Sequence, residues 1–370
     1  MAGESLVRKI PKFFQNISNI LDSFLGSQTV VGLSIGTSSI KLVELKRSGK
    51  TWKLLHFGIV QLPEDALVNG EIVNPIVVTD SIKTLIQQIK LKNKNVCTAI
   101  SGTSLIVKRM TVEVPNKSEL QDQVFWEAEQ YLPFDVAEVV MDFQVLSRSK
   151  DRKTDLILVA VKRSVLDNYM TCIEDAGLKP KIVDLDFFAL QNLYEANYPL
   201  NASEAVAIID IGASAMKLVF VHAGVPIFTK ESSFGGRNLT AEIQKNLNLS
   251  FIDAETLKIG AGPDGSTPQE ISDLVHLMGE NFAAEIKRAI DFYNASSVGA
   301  PVAYLLLTGG GAKISGLSKI IEDTVGLPTQ LMNPFNSISY DPSVFTQEYL
   351  ANIALIASIP IGLALRAGAK

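Results

Sequence analysis

Cysteine is nearly absent from this 370-residue chain, which carries only Cys97 and Cys172. Both sit among apolar residues and fit buried thiols of a reducing, intracellular compartment better than a disulfide framework. Histidine is scarce too, with three in all, and no spacing of His and Cys matches a zinc site. An excess of positive charge is missing: 34 Lys and Arg stand against 39 Asp and Glu, a net charge of −5. That balance argues against a general nucleic-acid binder, which needs a basic surface to displace counterions. Uninterrupted apolar runs of spanning length are also missing. The nearest is 350–368, "LANIALIASIPIGLALRAG", which Asn352, Ser358, Pro360 and Arg366 interrupt. It is predicted to be a buried or half-buried C-terminal helix. With 47% hydrophobic and 20% charged residues, the composition is that of a globular domain with ample core.

The first 28 residues have a different character. Leu6, Ile10, Phe13, Ile17, Ile20 and Phe24 recur at steps of three or four, one stripe of an amphipathic helix, flanked by Arg8, Lys9 and Lys12. Pro11 is compatible only with a helix start, so the regular helix is expected from there. Docking on the protein's own body or on a partner is the first reading of this stripe. A membrane-surface anchor is the second.

What the chain does contain is an echo. "SIGTSSIKLVE" at 34–44 returns as "DIGASAMKLVF" at 210–220, with Ile35/Ile211, Gly36/Gly212, Ser38/Ser214, Lys41/Lys217, Leu42/Leu218 and Val43/Val219 identical. Each copy reads as strand, tight Gly turn, strand, polar turn, strand. An internal duplication of this kind predicts two similar lobes, with a ligand site in the cleft between them. The organisation predicted is an N-terminal helix (1–28), lobe I (29–100 and 179–202), an inserted αβ subdomain (101–178), lobe II (203–240 and 300–345) with a helical subdomain (241–299), and a C-terminal helix returning to lobe I (346–370). Within the insertion, Ser118 and Gln121 form a candidate capping box for a helix that Pro133 ends.

Three Gly-bearing turns follow apolar strands: Gly36-Thr37-Ser38, Gly212-Ala213-Ser214 and Gly309-Gly310-Gly311. Glycine lets backbone N–H groups converge into a nest for phosphate oxygens, and Thr37, Ser38 and Ser214 add hydroxyl donors. Lys41 or Lys217 could neutralise phosphate charge, although alternation along the strand could equally point either into solvent. Any one such turn is most simply an ordinary hairpin glycine. The pair, with a third at a strand-to-helix junction, is what points to a nucleotide.

These residues resemble a known group of proteins. The duplicated turns, "GGRNLT" at 235–240 and "LTGGGAKISGL" at 307–317 are similar to the phosphate and adenosine loops of the actin-like ATPase superfamily. "WEAEQYLPF", "VAVKRSVLDNYMTCIEDAGLKPKIVDLDFFAL" and "AETLKIG" narrow the resemblance to the type IV pilus assembly PilM family, in the FtsA-like branch, from about Val30 to the C-terminus. The resemblance implies an α/β, actin-like (ribonuclease H-like) two-lobe fold with an FtsA-type inserted subdomain. It also implies ATP and Mg²⁺ in the interlobe cleft. Carried over by position, Gly36, Thr37 and Ser38 match the first phosphate loop, and Asp210, Gly212 and Ser214 the second, with Asp210 holding Mg²⁺ through water. Gly235 and Gly236 lie near ribose and phosphates. Gly309, Gly310, Gly311 and Ala312 approach the adenosine, with Lys313 against the base and Lys258 a further candidate there. Arg237 is a weaker candidate, because an interlobe ion pair would equally explain it. Asp186, with Asp184 as a rival, matches the group that polarises attacking water.

The partners implied are the cytoplasmic N-terminal segment of PilN, held between lobe I and the insertion, and pilus motor ATPases. Self-association and peripheral membrane contact at the cytoplasmic face of the inner membrane complete the list. Trp126, Tyr131 and Phe134 are placed near the PilN site, against the simpler reading that all three are core residues. One departure stands out: Ser34 occupies the position where the superfamily usually has Asp. A neutral ligand weakens the metal shell, so nucleotide binding is predicted with slow hydrolysis or none. Two alternatives are an FtsA-type filament protein of cell division, which pelleting with ATP and lipid would reveal, and an actin-like metabolic kinase, which a substrate panel would reveal.

Overall fold

The computed structural model describes residues 29–48, 51–113, 119–149, 152–260, 268–296 and 299–368. The N-terminal stripe Leu6–Phe24 and Ser118 of the expected capping box lie outside the described residues.

Lobe I opens with an antiparallel meander: β1 (Thr29–Ile35), β2 (Ser39–Ser48) and β3 (Thr51–Gln61). A short ribbon, β4 (Leu67–Val68) with β5 (Glu71–Ile72), leads to helix α1 (Pro75–Gln88), which starts on Pro75 with Asn74 accepting from the Val77 N–H. Strand β6 (Asn95–Ile100) then pairs parallel with β1. The insertion follows as β7 (Leu105–Glu113), α2 (Leu120–Ala128), β8 (Val139–Arg148) and β9 (Lys153–Lys162), an antiparallel sheet in the order β7-β9-β8. Its own small core joins Met110, Val112, Leu156 and Leu158 of the sheet to Leu120, Val124 and Ala128 of α2. Helix α3 (Arg163–Asp175) was predicted inside the insertion. Its buried Val165, Leu166, Tyr169, Cys172 and Ile173 pack in the core of lobe I instead. The chain returns through β10 (Lys179–Leu185), parallel to β6, and α4 (Asp186–Asn197).

Lobe II repeats the plan. Its meander is β11 (Ala205–Ile211), β12 (Met216–His222) and β13 (Val225–Ser232). Helices α5 (Gly236–Leu247), α6 (Phe251–Lys258) and α7 (Gln269–Ala295) come next, then β14 (Val302–Thr308) parallel to β11, α8 (Leu317–Val325) and β15 (Thr329–Leu331). The chain closes with β16 (Ile338–Ser339) on the edge of β3 and the 22-residue α9 (Gln347–Gly368). From the meander edge inward, the sheets read β3-β2-β1-β6-β10 and β13-β12-β11-β14-β15, the same order in each lobe. The registers match as well: Ser34 faces Lys41 across β1–β2, and Asp210 faces Lys217 across β11–β12. Every residue of β11 is buried, as expected of an apolar central strand covered on both faces.

Two glycines let helices onto opposite faces of the lobe I sheet. A Cβ on Gly58 would meet Leu85 and Ile89 beside α1, whereas one on Gly32 would meet Pro360 and Ala364 of α9. Gly58 pairs with Leu42 and Gly32 with Val43, adjacent residues of β2 whose side chains point to opposite faces. Helix α9 is long and apolar enough to cross a membrane by length and composition, yet 67% of its apolar window is buried inside the protein. It is a core helix, as its broken apolar run implies. Both cysteines are free and buried.

Candidate functional site

The two glycine turns are built alike. Gly36 N–H donates to the Ser39 carbonyl at 3.1 Å, and Gly212 N–H donates to the Ala215 carbonyl at 2.9 Å. They face one another across the lobes, where the Ser214 hydroxyl donates to Thr37 Oγ1 at 2.9 Å. Arg237, on the first turn of α5, closes the same contact: its Nη2 donates to the Thr37 carbonyl at 3.1 Å, and its Nε lies 3.8 Å from Glu64 Oε1. The interlobe role weighed for Arg237 is therefore present in the geometry. Its Nε is nevertheless a buried donor with no hydrogen-bond acceptor. A second link between the lobes runs from the Gly102 N–H to Glu231 Oε2 at 3.1 Å.

Beneath the turns lies a cluster of charges. Lys217 Nζ donates to Asp186 Oδ2 at 2.6 Å and stands 4.0 Å from Asp210 Oδ2, with all three side chains largely shielded from water. Burial works against the Lys217 charge, but Asp186, Asp210 and Glu231 outweigh it and hold its pKa well above the ordinary lysine value. Asp210 is shifted up by burial, with Lys217 opposing. Lys41, its counterpart in the duplication, behaves differently. Among the described residues it has no hydrogen-bonded or ion-paired partner, and desolvation lowers its pKa to about 8 despite the attraction of Asp210. The alternation argument left both lysines free to face solvent, and the structure turns both into the cleft.

Asp186, expected to polarise a water, accepts the Lys217 hydrogen bond through its Oδ2. Its rival Asp184 belongs to another environment. It is buried against Arg366 of α9 at 3.6 Å, and burial raises its pKa to about 6. Among the described residues, no three His, Cys, Asp or Glu side chains come together to hold a metal. Asp210 alone is too few carboxylates to hold Mg²⁺, so the donor set would fit the ion only if bound phosphates supplied the other ligands. An anion fits better, because among the described residues a shielded ammonium and a buried guanidinium N–H both lack hydrogen-bond acceptors.

The remaining glycines gather on the same side. A Cβ on Gly235 would lie 2.5 Å from the Ala213 carbonyl, and Gly236 N–H donates to the Gly212 carbonyl at 2.9 Å, so α5 starts directly on the second turn. Gly309 adopts φ +85°, and a Cβ there would collide with Asp210 Oδ1 and the Ile211 carbonyl. Gly310, Gly311 and Ala312 form the short 3₁₀ turn that follows, with Gly311 packed on Ile211. Lys258 is buried beside Gly236 and donates to Thr240 Oγ1 at 2.9 Å. Lys313, expected against the base, donates its Nζ to the Asn352 carbonyl of α9 at 2.5 Å.

On the insertion, Trp126 is 60% exposed and Tyr131 46%, so the simpler reading of both as core residues fails. The helix stops at Ala128, before Pro133, and the chain turns through Tyr131 under Lys108, whose Nζ sits 3.1 Å from the ring centroid. Phe134 is half-buried beneath Lys162, 4.5 Å from its centroid.

With this geometry in view, comparison with known proteins is decisive. The family described as type IV pilus assembly protein PilM matches residues 32–368. The chain belongs to the PilM family. Among solved structures, this PilM-family chain is similar to a PilM–PilN type IV pilus biogenesis complex, with 27% identity and a TM-score of 0.81 over 91% of this chain and 98% of the other. It is also similar to MreB 5 of Spiroplasma citri bound to AMPPNP, at 14% identity and a TM-score of 0.52, covering 90% and 94% of the two chains. Cell division protein FtsA of Bacillus subtilis (strain 168) is 22% identical over 89% of this chain and 83% of its own length. The fold is actin-like, as the resemblance implies.

Proposed function

We propose that this PilM-family chain is an ATP-binding cytoplasmic platform of the type IV pilus assembly complex at the inner membrane. It holds the cytoplasmic N-terminal segment of PilN and couples it to cytoplasmic motor components. The observation that carries the nucleotide half is Lys41, a shielded ammonium with no hydrogen-bonded or ion-paired partner among the described residues, beside two facing glycine turns. Phosphates entering there would meet Lys41 and the Arg237 Nε–H, and would part the Thr37–Ser214 contact. The MreB neighbour bound to AMPPNP supports nucleotide as the ligand of this architecture. Mg²⁺ arriving with the phosphates would reach Asp210 through water.

Turnover is slow or nil in this reading. Asp186 is already bonded to Lys217, and Ser34 brings no charge to the metal, so little remains to activate water. The nucleotide then acts through its different affinities for the open and closed lobes.

The PilN half is supported by the similar PilM–PilN complex and by the exposed aromatic side chains of Trp126 and Tyr131, which with Phe134 form the proposed docking region. A fluorescein-labelled synthetic peptide of the PilN N-terminus, titrated by fluorescence anisotropy, tests this half. Tight binding that weakens in Trp126→Ala and Tyr131→Ala supports it, and binding indifferent to both places the peptide elsewhere. An FtsA-type filament is the second reading, favoured by the FtsA relatives. Nucleotide-dependent pelleting in the absence of PilN would favour it.

A further inference from the structure

The end of lobe I away from the glycine turns carries a second feature. The strand β1 runs seven residues from Thr29 to Ile35, so its start lies about 20 Å from the nucleotide turn. There, Thr29, Glu44, His56, Asn93, Asn95 and the lysines 90, 92, 94 and 179 line a groove of 790 Å³. The sequence of its rim, "KLKNKN" at 90–95, alternates. Leu91 turns inward and is buried, and Asn93 turns inward to donate to the Thr29 carbonyl at 3.0 Å and accept from the Asn95 N–H at 3.0 Å. Lys179 N–H donates to the Lys94 carbonyl at 2.7 Å, pinning the neighbouring strand start to the same loop. The backbone is thus held, and Lys90, Lys92 and Lys179 are left exposed, with Lys94 half-buried beside them.

Among the described residues, none of these four lysines meets a carboxylate, and what sets them apart from other unpaired surface lysines such as Lys245 and Lys287 is that all four line one groove. The groove's own carboxylate, Glu44, is buried and bonded to His56 Nδ1 at 2.8 Å. A chain of net charge −5 therefore gathers unpaired positive charge at one edge.

We propose that this lysine rim is a docking surface for an anionic lipid bilayer. The lining holds lysines and no arginine, and lysine is a hydrated point charge suited to a field of lipid phosphates more than to bidentate capture of one carboxylate. The rim also adjoins Thr29, the residue at which the segment bearing Arg8, Lys9, Lys12 and the apolar stripe joins the fold. Unpaired lysines next to an amphipathic basic segment are the combination that binds anionic membrane surfaces. Bound this way, the protein would turn its nucleotide turns away from the bilayer.

The test is co-sedimentation of the full chain with vesicles of phosphatidylglycerol and phosphatidylcholine, against phosphatidylcholine alone. Wild type is expected to bind the anionic vesicles only, and to be released by salt. Lys90→Gln, Lys92→Gln and Lys179→Gln combined should weaken partitioning by at least about tenfold, from about fivefold per lysine at a charged surface. Its melting temperature should stay unchanged. A charge-matched control, Lys83→Gln, Lys287→Gln and Lys319→Gln, should bind like wild type. Equal binding by wild type and the rim variant would overturn the proposal, as would equal loss in the control. Loss of poly-glutamate peptide binding in a rim variant that still binds vesicles would overturn it in favour of an acidic protein partner.

Discussion

The pH dependence of nucleotide binding should follow Lys41. Desolvation holds its pKa near 8, against 10.5 for a free lysine. With that value, about nine-tenths of the unliganded protein carries the Lys41 charge at about pH 7, and about one-tenth at about pH 9. If the ammonium is the counter-ion for the phosphates, the apparent Kd should rise about tenfold across that interval. Lys41→Met should weaken binding at about pH 7 by about 10- to 100-fold, the equivalent of the 1.5–3 kcal/mol that a charge-assisted hydrogen bond contributes. Lys41→Arg should retain affinity and flatten the profile, because guanidinium stays charged throughout. The assay is a fluorescence titration with a non-hydrolysable ATP analogue from about pH 6.5 to 9.5. The folding equilibrium provides a second check of opposite sign. A lysine whose folded pKa lies below its unfolded value binds fewer protons when folded, so its contribution to stability rises with pH from about 8 to 10.5. Affinity should therefore fall where this contribution to stability rises. A flat binding profile in wild type, or an equal decline in Lys41→Arg, would refute the assignment.

Three further outcomes follow from the same site. Lys217→Met strands Asp186 and Asp210 without their cation and should cost about 3–5 kcal/mol in urea denaturation, much of it restored by adding Asp186→Leu. Gly309→Ala combines φ +85° with a clash against Asp210 and Ile211 and should lower stability by about 2–4 kcal/mol. Gly316→Ala, at φ +78° with open space around it, should cost only about 1 kcal/mol, and calorimetry that finds the two equal would contradict the role given to packing. Arg237→Ala removes the guanidinium that ties α5 to the Thr37 carbonyl, so small-angle scattering should show a more open unliganded chain.

The lobes were legible because the repeat keeps its spacing in the fold, with matched registers on either side of the two turns. The turn itself demands glycine only in lobe II, where a Cβ on Gly212 would lie 2.9 Å from the Ala215 carbonyl, whereas one on Gly36 would meet the Ser39 carbonyl at an ordinary 3.4 Å. Contacts made across the chain were not legible. Period-2 alternation along β12 says that Lys217 leaves the sheet on one face, but not that Asp186, at the start of α4, waits there. The Lys313 hydrogen bond is hidden for the same reason, since the Asn352 carbonyl it meets lies in a helix 39 positions away. For Trp126, helical spacing alone cannot tell a face packed on the sheet from one left open. The burial of Val124 and Ala128 on the same helix decides it.

The duplicated halves differ most where they match best in sequence. Lys41 and Lys217 occupy equivalent positions, each opposite the penultimate residue of its lobe's first strand, Ser34 in one lobe and Asp210 in the other. In lobe II the acid is present, Asp186 joins it, and Lys217 is neutralised by both. In lobe I the serine supplies no charge, and Lys41 is left shielded and unpaired among the described residues. The replacement that weakens the metal shell thus also releases a cation for phosphate. An Asp restored at position 34 would pair with Lys41 across the register and raise its pKa. Ser34→Asp should accordingly weaken nucleotide binding in EDTA while lessening the loss in Mg²⁺, and a variant that binds more tightly in EDTA would break the link between the two residues.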